Sequence, residues 1–171
     1  KTGIDLPNEL SGFVPETDYY DRYYLKGRWG ATTILSLAIG QGELGFTPMQ
    51  MANMVTAIAN RGHYITPHIA KEVNGTSIRE LDSSIVRNET GVDPKYFDEV
   101  VEAMYLVVKQ GTGTSAKIDS LEVCGKTGTV QNPHGDDHST FIAFAPKDNP
   151  KIALSVYVEN GYWGSRWAAP I

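Results

Sequence analysis

At 171 residues, with 41% hydrophobic and 20% charged side chains, the chain has the composition of one globular domain with a core of its own. Lys and Arg number 15 against 20 Asp and Glu, and the net charge of −5 gives no bulk electrostatic footprint for a nucleic acid. No apolar run approaches the ~20 residues of a membrane helix, the first residues do not read as a signal peptide, and the single cysteine, Cys124, excludes an internal disulfide. Both ends read as cut: the chain starts inside a turn-like segment and stops at Ala168-Ala169-Pro170-Ile171, where an apolar run begins, so a piece of a larger protein is expected.

Residues 1–30 show no sustained period. Pro7 and Pro15 interrupt them, and Tyr19, Tyr20, Tyr23, Tyr24 and Trp29 predict an irregular segment docked by aromatic packing. Gly40-Gln-Gly42-Glu-Leu-Gly45 matches the spacing of a dinucleotide-binding turn, but the preceding strand, the βαβ unit and the acid ~20 residues on are missing, so the segment is read as a plain turn. A helix follows, with Thr47 as its cap, Pro48 in first position, Gln50 completing a capping box and Phe46 with Met51 as a staple. Met51, Met54, Val55 and Ile58 repeat at helical spacing and predict its core face, which makes these methionines packing residues rather than ligands. Asn60-Arg61-Gly62 ends it.

His63 and His68 lack the neighbouring Cys or carboxylate pattern of a zinc site and are read as hydrogen-bonded or surface imidazoles. Residues 70–90 suggest a small peripheral hairpin. Asp93 and Pro94 open a second helix, with Phe97, Val100, Val101, Met104 and Val108 on one face and Gly111 as its stop. Thr112-Gly113-Thr114-Ser115-Ala116 lacks Walker spacing and reads as a loop leading into a strand. That strand, Val123 to Val130, is a β-prone run holding Lys126, Thr127, Gly128 and Thr129, and glycine inside a strand marks close approach to the backbone. His134, Asp136, Asp137 and His138 carry zinc-compatible groups, yet their spacing is too short for all to converge on one ion, and a polar loop beside a cleft is preferred. Phe141–Ala145 and Lys151–Val158 then read as two strands joined by a turn at Pro146–Pro150. Lys1-Thr2-Gly3 repeats the motif tripeptide without a second strand after it and is read as a turn.

Cys124-Gly-Lys-Thr-Gly-Thr129, His134-Gly135, Asp137-His138-Ser139 and Phe141-Ile-Ala-Phe-Ala-Pro146 together resemble the third-motif region of a class B penicillin-binding protein. Gly40-Gln-Gly42, Thr47-Pro48-Met-Gln-Met-Ala52, Ala59-Asn60-Arg61-Gly62 and Thr66-Pro67-His68 are similar to the segment ahead of it. Ile4-Asp5-Leu6-Pro7, Glu159-Asn160-Gly161 and Ala168-Ala169-Pro170-Ile171 extend the resemblance to nearly the whole chain, with the cell-elongation subgroup, penicillin-binding protein 2, nearest. The other two motifs of the family are not matched: no Ser here is followed by Lys three positions on or by Asn two positions on.

The resemblance implies an α+β fold, helices on an antiparallel sheet of which three strands are present, and makes residues 1–171 the C-terminal part of a transpeptidase domain. The nucleophile motif would then lie upstream and the closing helix downstream. It implies a parent enzyme of cell-wall and cell-shape maintenance, a serine D-Ala-D-Ala transpeptidase of peptidoglycan biosynthesis, anchored in a bacterial inner membrane with this soluble segment on the periplasmic face. This chain alone would be inactive. In the parent, Lys126 would supply electrostatics and proton-network support, Thr127 and Thr129 would bind a substrate carboxylate, Gly128 would leave room for the peptide, and the Thr129 amide would be an oxyanion donor. Implied partners are stem peptides, β-lactams and elongation-machinery proteins, with no nucleic acid, no cofactor and no metal. In the family the Lys151–Val158 strand pairs with an N-terminal strand, so its edge is expected to be open here and the isolated chain to self-associate. The rival readings are a non-catalytic interaction module of a cell-wall synthesis complex and, more weakly, a nucleotide-binding protein.

Overall fold

The computed structural model describes residues 1–81 and 86–171. They form two compact units, residues 10–47 and residues 1–9 with 48–171. The smaller unit holds α1 (Thr17–Tyr23) and α2 (Ala31–Ala38), and Phe13 and Gly45 close it by exchanging backbone hydrogen bonds of 2.7 and 2.9 Å. The irregular segment expected here is therefore partly helical. No Gly or Pro stands between Glu16 and Lys26, and the tyrosines fall at i, i+4 spacing. Tyr19 meets Tyr23 with ring centroids 4.6 Å apart, and the buried Tyr20 packs on Trp29 at 5.2 Å. The aromatic cluster is packing, as expected, and it also holds a carboxylate: the Tyr20 and Tyr24 hydroxyls donate to Glu43 at 3.1 and 2.6 Å. Gly40 and Gly42, with φ of 79° and 78°, follow α2, so the glycine-rich segment succeeds a helix rather than a strand, which removes the dinucleotide reading.

The larger unit begins its helical part with α3 (Pro48–Ala59), which starts at the predicted proline. Val55, Ala57 and Ala59 are buried, with Met51 and Ile58 packed against the core. Met54 departs from the expected stripe and is 44% exposed, because the face is centred on Val55 and Ala59, four residues apart, and Met54 lies to its side. Arg61 and Gly62 turn left-handed, and the Gly62 N–H returns to the Ala57 carbonyl at 2.8 Å, as the predicted stop requires.

Strand β1 (His63–Ile65) leads to β2 (Glu72–Val73) and β3 (Thr76–Ser77), a two-stranded hairpin whose Asn74 and Gly75 both have positive φ. This is the peripheral hairpin expected within 70–90; residues 82–85 of that stretch lie outside the described residues. The short α4 (Ile78–Leu81) follows, and β4 (Arg87–Glu89) pairs with β1. The Asp93 carboxylate accepts the Lys95 N–H at 3.1 Å and caps α5 (Lys95–Gln110). Its bonds to the Lys95 ammonium and amide hold the Asp93 carboxyl below the usual carboxylate range. Phe97, Val101, Met104 and Val108 are buried. Val100 is 42% exposed, off the stripe that steps by four and three residues from Phe97.

A three-residue 3₁₀ turn (Thr114–Ala116) then leads to β5 (Cys124–Val130), β6 (His138–Ala145) and β7 (Ile152–Val158). These form an antiparallel meander in the order β5-β6-β7, with Thr127 opposite Phe141 and Phe141 opposite Val156. The α+β class with an antiparallel sheet stands. The central strand β6 starts three residues earlier than expected, at His138, and Phe141 to Ala145 are buried whichever way they point. On one face Cys124, Ile142 and Phe144 pack against Val55 and Ala59 of α3 and Val101 and Met104 of α5. On the other, Val123, Phe141, Ala143 and Ala145 pack with Val108, Ala168 and Ala169. Each such large side chain contributes about 2 kcal/mol by leaving water. Gly125 makes room for one of them, since a Cβ there would stand 2.5 Å from the Phe141 ring. The short α6 (Gly164–Trp167) closes the described chain.

Candidate active site

The period of a strand divides the motif between two sides of the sheet. Cys124 lies on the face of α3 and α5, so Lys126 and Gly128, two and four residues on, belong to that face. Thr127 and Thr129 belong to the opposite face, with Phe141 and Ser139 across from them. Lys126 and the two threonines therefore do not converge on one surface. They converge on the edge of β5, which among the described residues is paired on one side only, to β6. A ligand extended along that edge would have a cation on one flank and hydroxyls on the other.

Lys126 is exposed, outside the core, and its Nζ donates to the Thr127 carbonyl at 2.7 Å. Thr127 is half-buried, and its Oγ1 lies 2.9 Å from the Thr112 Oγ1. Gly128 is confined from both sides. A Cβ on it would stand 2.3 Å from the Thr140 Oγ1, and its backbone lies under Gly164, whose own Cβ would stand 2.4 Å from the Gly128 carbonyl oxygen and 2.4 Å from that of Thr140. The bare strand expected at Gly128 is thus demanded by the protein's own packing.

The end of the motif strand is braced by two loops. The Asn160 N–H donates to His138 Nδ1 at 3.1 Å, the Tyr162 N–H to the Asp137 carbonyl at 2.8 Å, and the Asn132 side chain to Asn160 Oδ1 at 3.2 Å. Asp137 also accepts the Asn132 N–H at 3.2 Å, and the Ser139 hydroxyl donates to the Trp163 carbonyl at 3.2 Å. The His134–His138 stretch is a tied polar loop running into β6. Among the described residues no group of three or more His, Cys, Asp or Glu is arranged to hold a metal ion. Cys124 is fully buried, and burial pushes its thiol up to about 11, so it supplies no thiolate at neutral pH.

The sequence alone assigned Thr112 and Asn160 no role at the site and left Gly164 unmarked. Thr112 carried a partial signal, a hydroxyl residue between two glycines just past a helix end. Gly164 and Asn160 reach the motif through the topology; Asn160 stood in the Glu159-Asn160-Gly161 stretch of the resemblance, and nothing local marked Gly164.

Over residues 1–171 the chain matches the family model described as the penicillin binding protein transpeptidase domain. The peptidoglycan D,D-transpeptidase MrdA of Acinetobacter baumannii is 32% identical, with 96% of this chain and 27% of that protein covered. Among solved structures, Pseudomonas aeruginosa PBP2 in complex with WCK 5153 superposes with a TM-score of 0.82 at 36% identity, covering 97% of this chain and 36% of that one. Helicobacter pylori PBP2, in a complex with MreC, gives 0.83 at 30% identity, covering 100% and 31%. The chain thus spans 27% to 29% of the length of the two MrdA relatives from Acinetobacter baumannii and Haemophilus influenzae.

Proposed function

This chain belongs to the penicillin-binding protein transpeptidase domain family, and from that premise we propose that its parent protein is a D,D-transpeptidase that cross-links peptidoglycan stem peptides. The observation that carries the reading is β5 itself, a strand edge paired on one side only among the described residues and flanked by Lys126 and by the Thr127 and Thr129 hydroxyls. In the proposed reaction a serine outside this chain attacks the penultimate D-Ala carbonyl. An ester forms, the peptide bond to the last D-Ala breaks, and that D-Ala leaves with the transferred proton. The amine of a second stem peptide then displaces the serine and restores an amide. Lys126 stabilises negative charge beside the reacting centre, Thr127 and Thr129 hold the terminal carboxylate, and the Thr129 amide polarises the carbonyl. Residues 1–171 act as the C-terminal part of the domain, the upstream part bringing Ser-x-x-Lys and Ser-x-Asn.

Among the described residues no helix is long and apolar enough to cross a membrane, and the proposed inner-membrane anchor belongs to the rest of the parent. The Helicobacter pylori relative was solved with MreC, which supports an elongation-machinery partner here as well. Fluorescent penicillin tests the reading: the full-length protein should label covalently on one serine. A folded, unlabelled protein would favour the non-catalytic module.

Two further outcomes concern the 171 residues by themselves. They should take no penicilloyl mass, since no Ser-x-x-Lys is present; a stable adduct would refute the assignment of the nucleophile to the upstream part. They should also self-associate. Strand β7 is paired on one side only among the described residues, and Ile152 on it is 58% exposed. An apolar cavity of about 420 Å³, lined by Phe141, Leu154, Val156, Ala169 and Ile171 among others, opens on the same face. Light scattering after size exclusion should give a dimer or larger. A clean monomer at high micromolar concentration, with fast-exchanging amides along 152–158, would show that the edge stays free.

A further inference from the structure

We infer that Thr112 is a positioning residue for this site: its hydroxyl donates to Thr127 and so reserves the Thr127 proton for the carboxylate of an anionic ligand. The inference rests on the reading of β5 as the carboxylate site. Thr112 stands outside the motif, 15 residues before Thr127, with the two Oγ1 atoms 2.9 Å apart.

The loop that carries Thr112 is fixed. The Val107 carbonyl in the last turn of α5 accepts both the Gly111 N–H at 3.1 Å and the Gly113 N–H at 3.0 Å. Both neighbours of Thr112 are thereby tied to one oxygen. Gly111 has no room for a side chain, since a Cβ would stand 2.9 Å from the Val107 Cα, and Gly113 is tightly packed, with a Cβ 3.2 Å from the Val107 Cγ1. Drift of the loop would therefore cost the helix its terminal bonds. On the other side of Thr112, the Ser115 hydroxyl donates to the Ser165 carbonyl at 2.7 Å, which ties the same linker to α6.

A threonine hydroxyl has one proton and two lone pairs, whereas a carboxylate only accepts. When a carboxylate takes the Thr127 proton, Thr127 is left to accept from Thr112, and Thr112 must donate. The chain from Thr112 to Thr127 to carboxylate then runs in one direction, and each bond polarises the next. A neutral ester also only accepts, so it draws the chain in the same direction, but without the charge that makes the bond to a carboxylate about twice as strong. A Thr112 that merely supported the loop would affect charged and neutral ligands alike, whereas a positioning Thr112 affects the charged one more.

The test uses the full-length protein and two probes, benzylpenicillin and its methyl ester, with the second-order acylation rate as readout. Thr112→Val removes the hydroxyl at nearly constant shape. It should slow the free acid about threefold to fivefold, the worth of one partly exposed hydrogen bond, slow the ester by clearly less, leave the melting temperature unchanged, and be rescued by Thr112→Ser. Equal slowing of both probes, no slowing of either, or failure of Thr112→Ser to restore the acid rate would overturn the inference. Thr127→Val separates the two levels of the argument. If it leaves the acid-to-ester ratio at the wild-type value, the carboxylate site itself is misassigned. If it collapses the ratio while Thr112→Val keeps it, only the role of Thr112 falls.

Discussion

Replacing Lys126 by alanine is expected to slow penicillin acylation of the full-length protein by about 100-fold, the effect of losing a charged contact worth on the order of 3 kcal/mol in the transition state. The fold should hardly register the change. Lys126 is exposed, and among the described residues its Nζ donates to the carbonyl of the next residue. No buried partner is orphaned by its removal, so stability should move by no more than about 0.5 kcal/mol. That separation makes the experiment decisive. A structural lysine would lose stability and rate together, whereas a site lysine loses rate alone. An acylation rate within a few-fold of wild type would remove Lys126 from the proposed machinery.

The parts of the fold that announced themselves in the sequence are those whose cause is local. The α3 helix begins at Pro48 and ends at Ala59, closed by the turn at Arg61 and Gly62, and α5 is opened by Asp93 and stopped at Gly111, because caps and helix-breaking residues act over a few positions. The three-stranded meander was legible for the same reason, two apolar runs joined by a proline-bounded turn. Helix α1 was obscured by its own tyrosines, which read as docking residues but pair along one helix at i, i+4. Helix α2 has no buried residue and no side-chain cap, so neither an inward stripe nor a start signal marked it. Met54 and Val100 were misplaced because spacing fixes the period of a face and not its centre; the centre is set by what the sheet offers across the gap. In the candidate site, the Lys126–Thr129 stretch was readable as a motif on a strand. Their division between the two flanks of β5 follows from the strand period, but only the sheet register shows that the edge is where they meet. Thr112 and Gly164 join the site through contacts across 15 and 36 residues, which no local pattern encodes.

Gly164→Ala should be the most damaging small substitution in the larger unit. A Cβ at Gly164 would stand 2.4 Å from the carbonyl oxygens of Gly128 and Thr140 and 2.9 Å from the Gly128 nitrogen. All three are backbone atoms of the β5–β6 pair, so no side chain can rotate away. Either α6 lifts off the sheet, undoing the burial of Ala168 and Ala169 beside it, or β5 shifts at the centre of the Lys126–Thr129 motif. Overpacking of this kind costs about 3 kcal/mol when the neighbours are rigid, and a displacement of the motif by a fraction of an ångström is enough to cost about tenfold in acylation. Both losses are expected in the full-length protein, read as a lowered unfolding midpoint and a slower reaction with fluorescent penicillin. Gly45→Ala is the control, because a Cβ there would sit at an ordinary 3.5 Å from Phe13 and the backbone is not left-handed. It should stay within about 1 kcal/mol of wild type and keep its rate. If Gly164→Ala matched that control in both measurements, α6 would not be seated on the motif strand, and the bracing of Gly128 from that side would have to be abandoned.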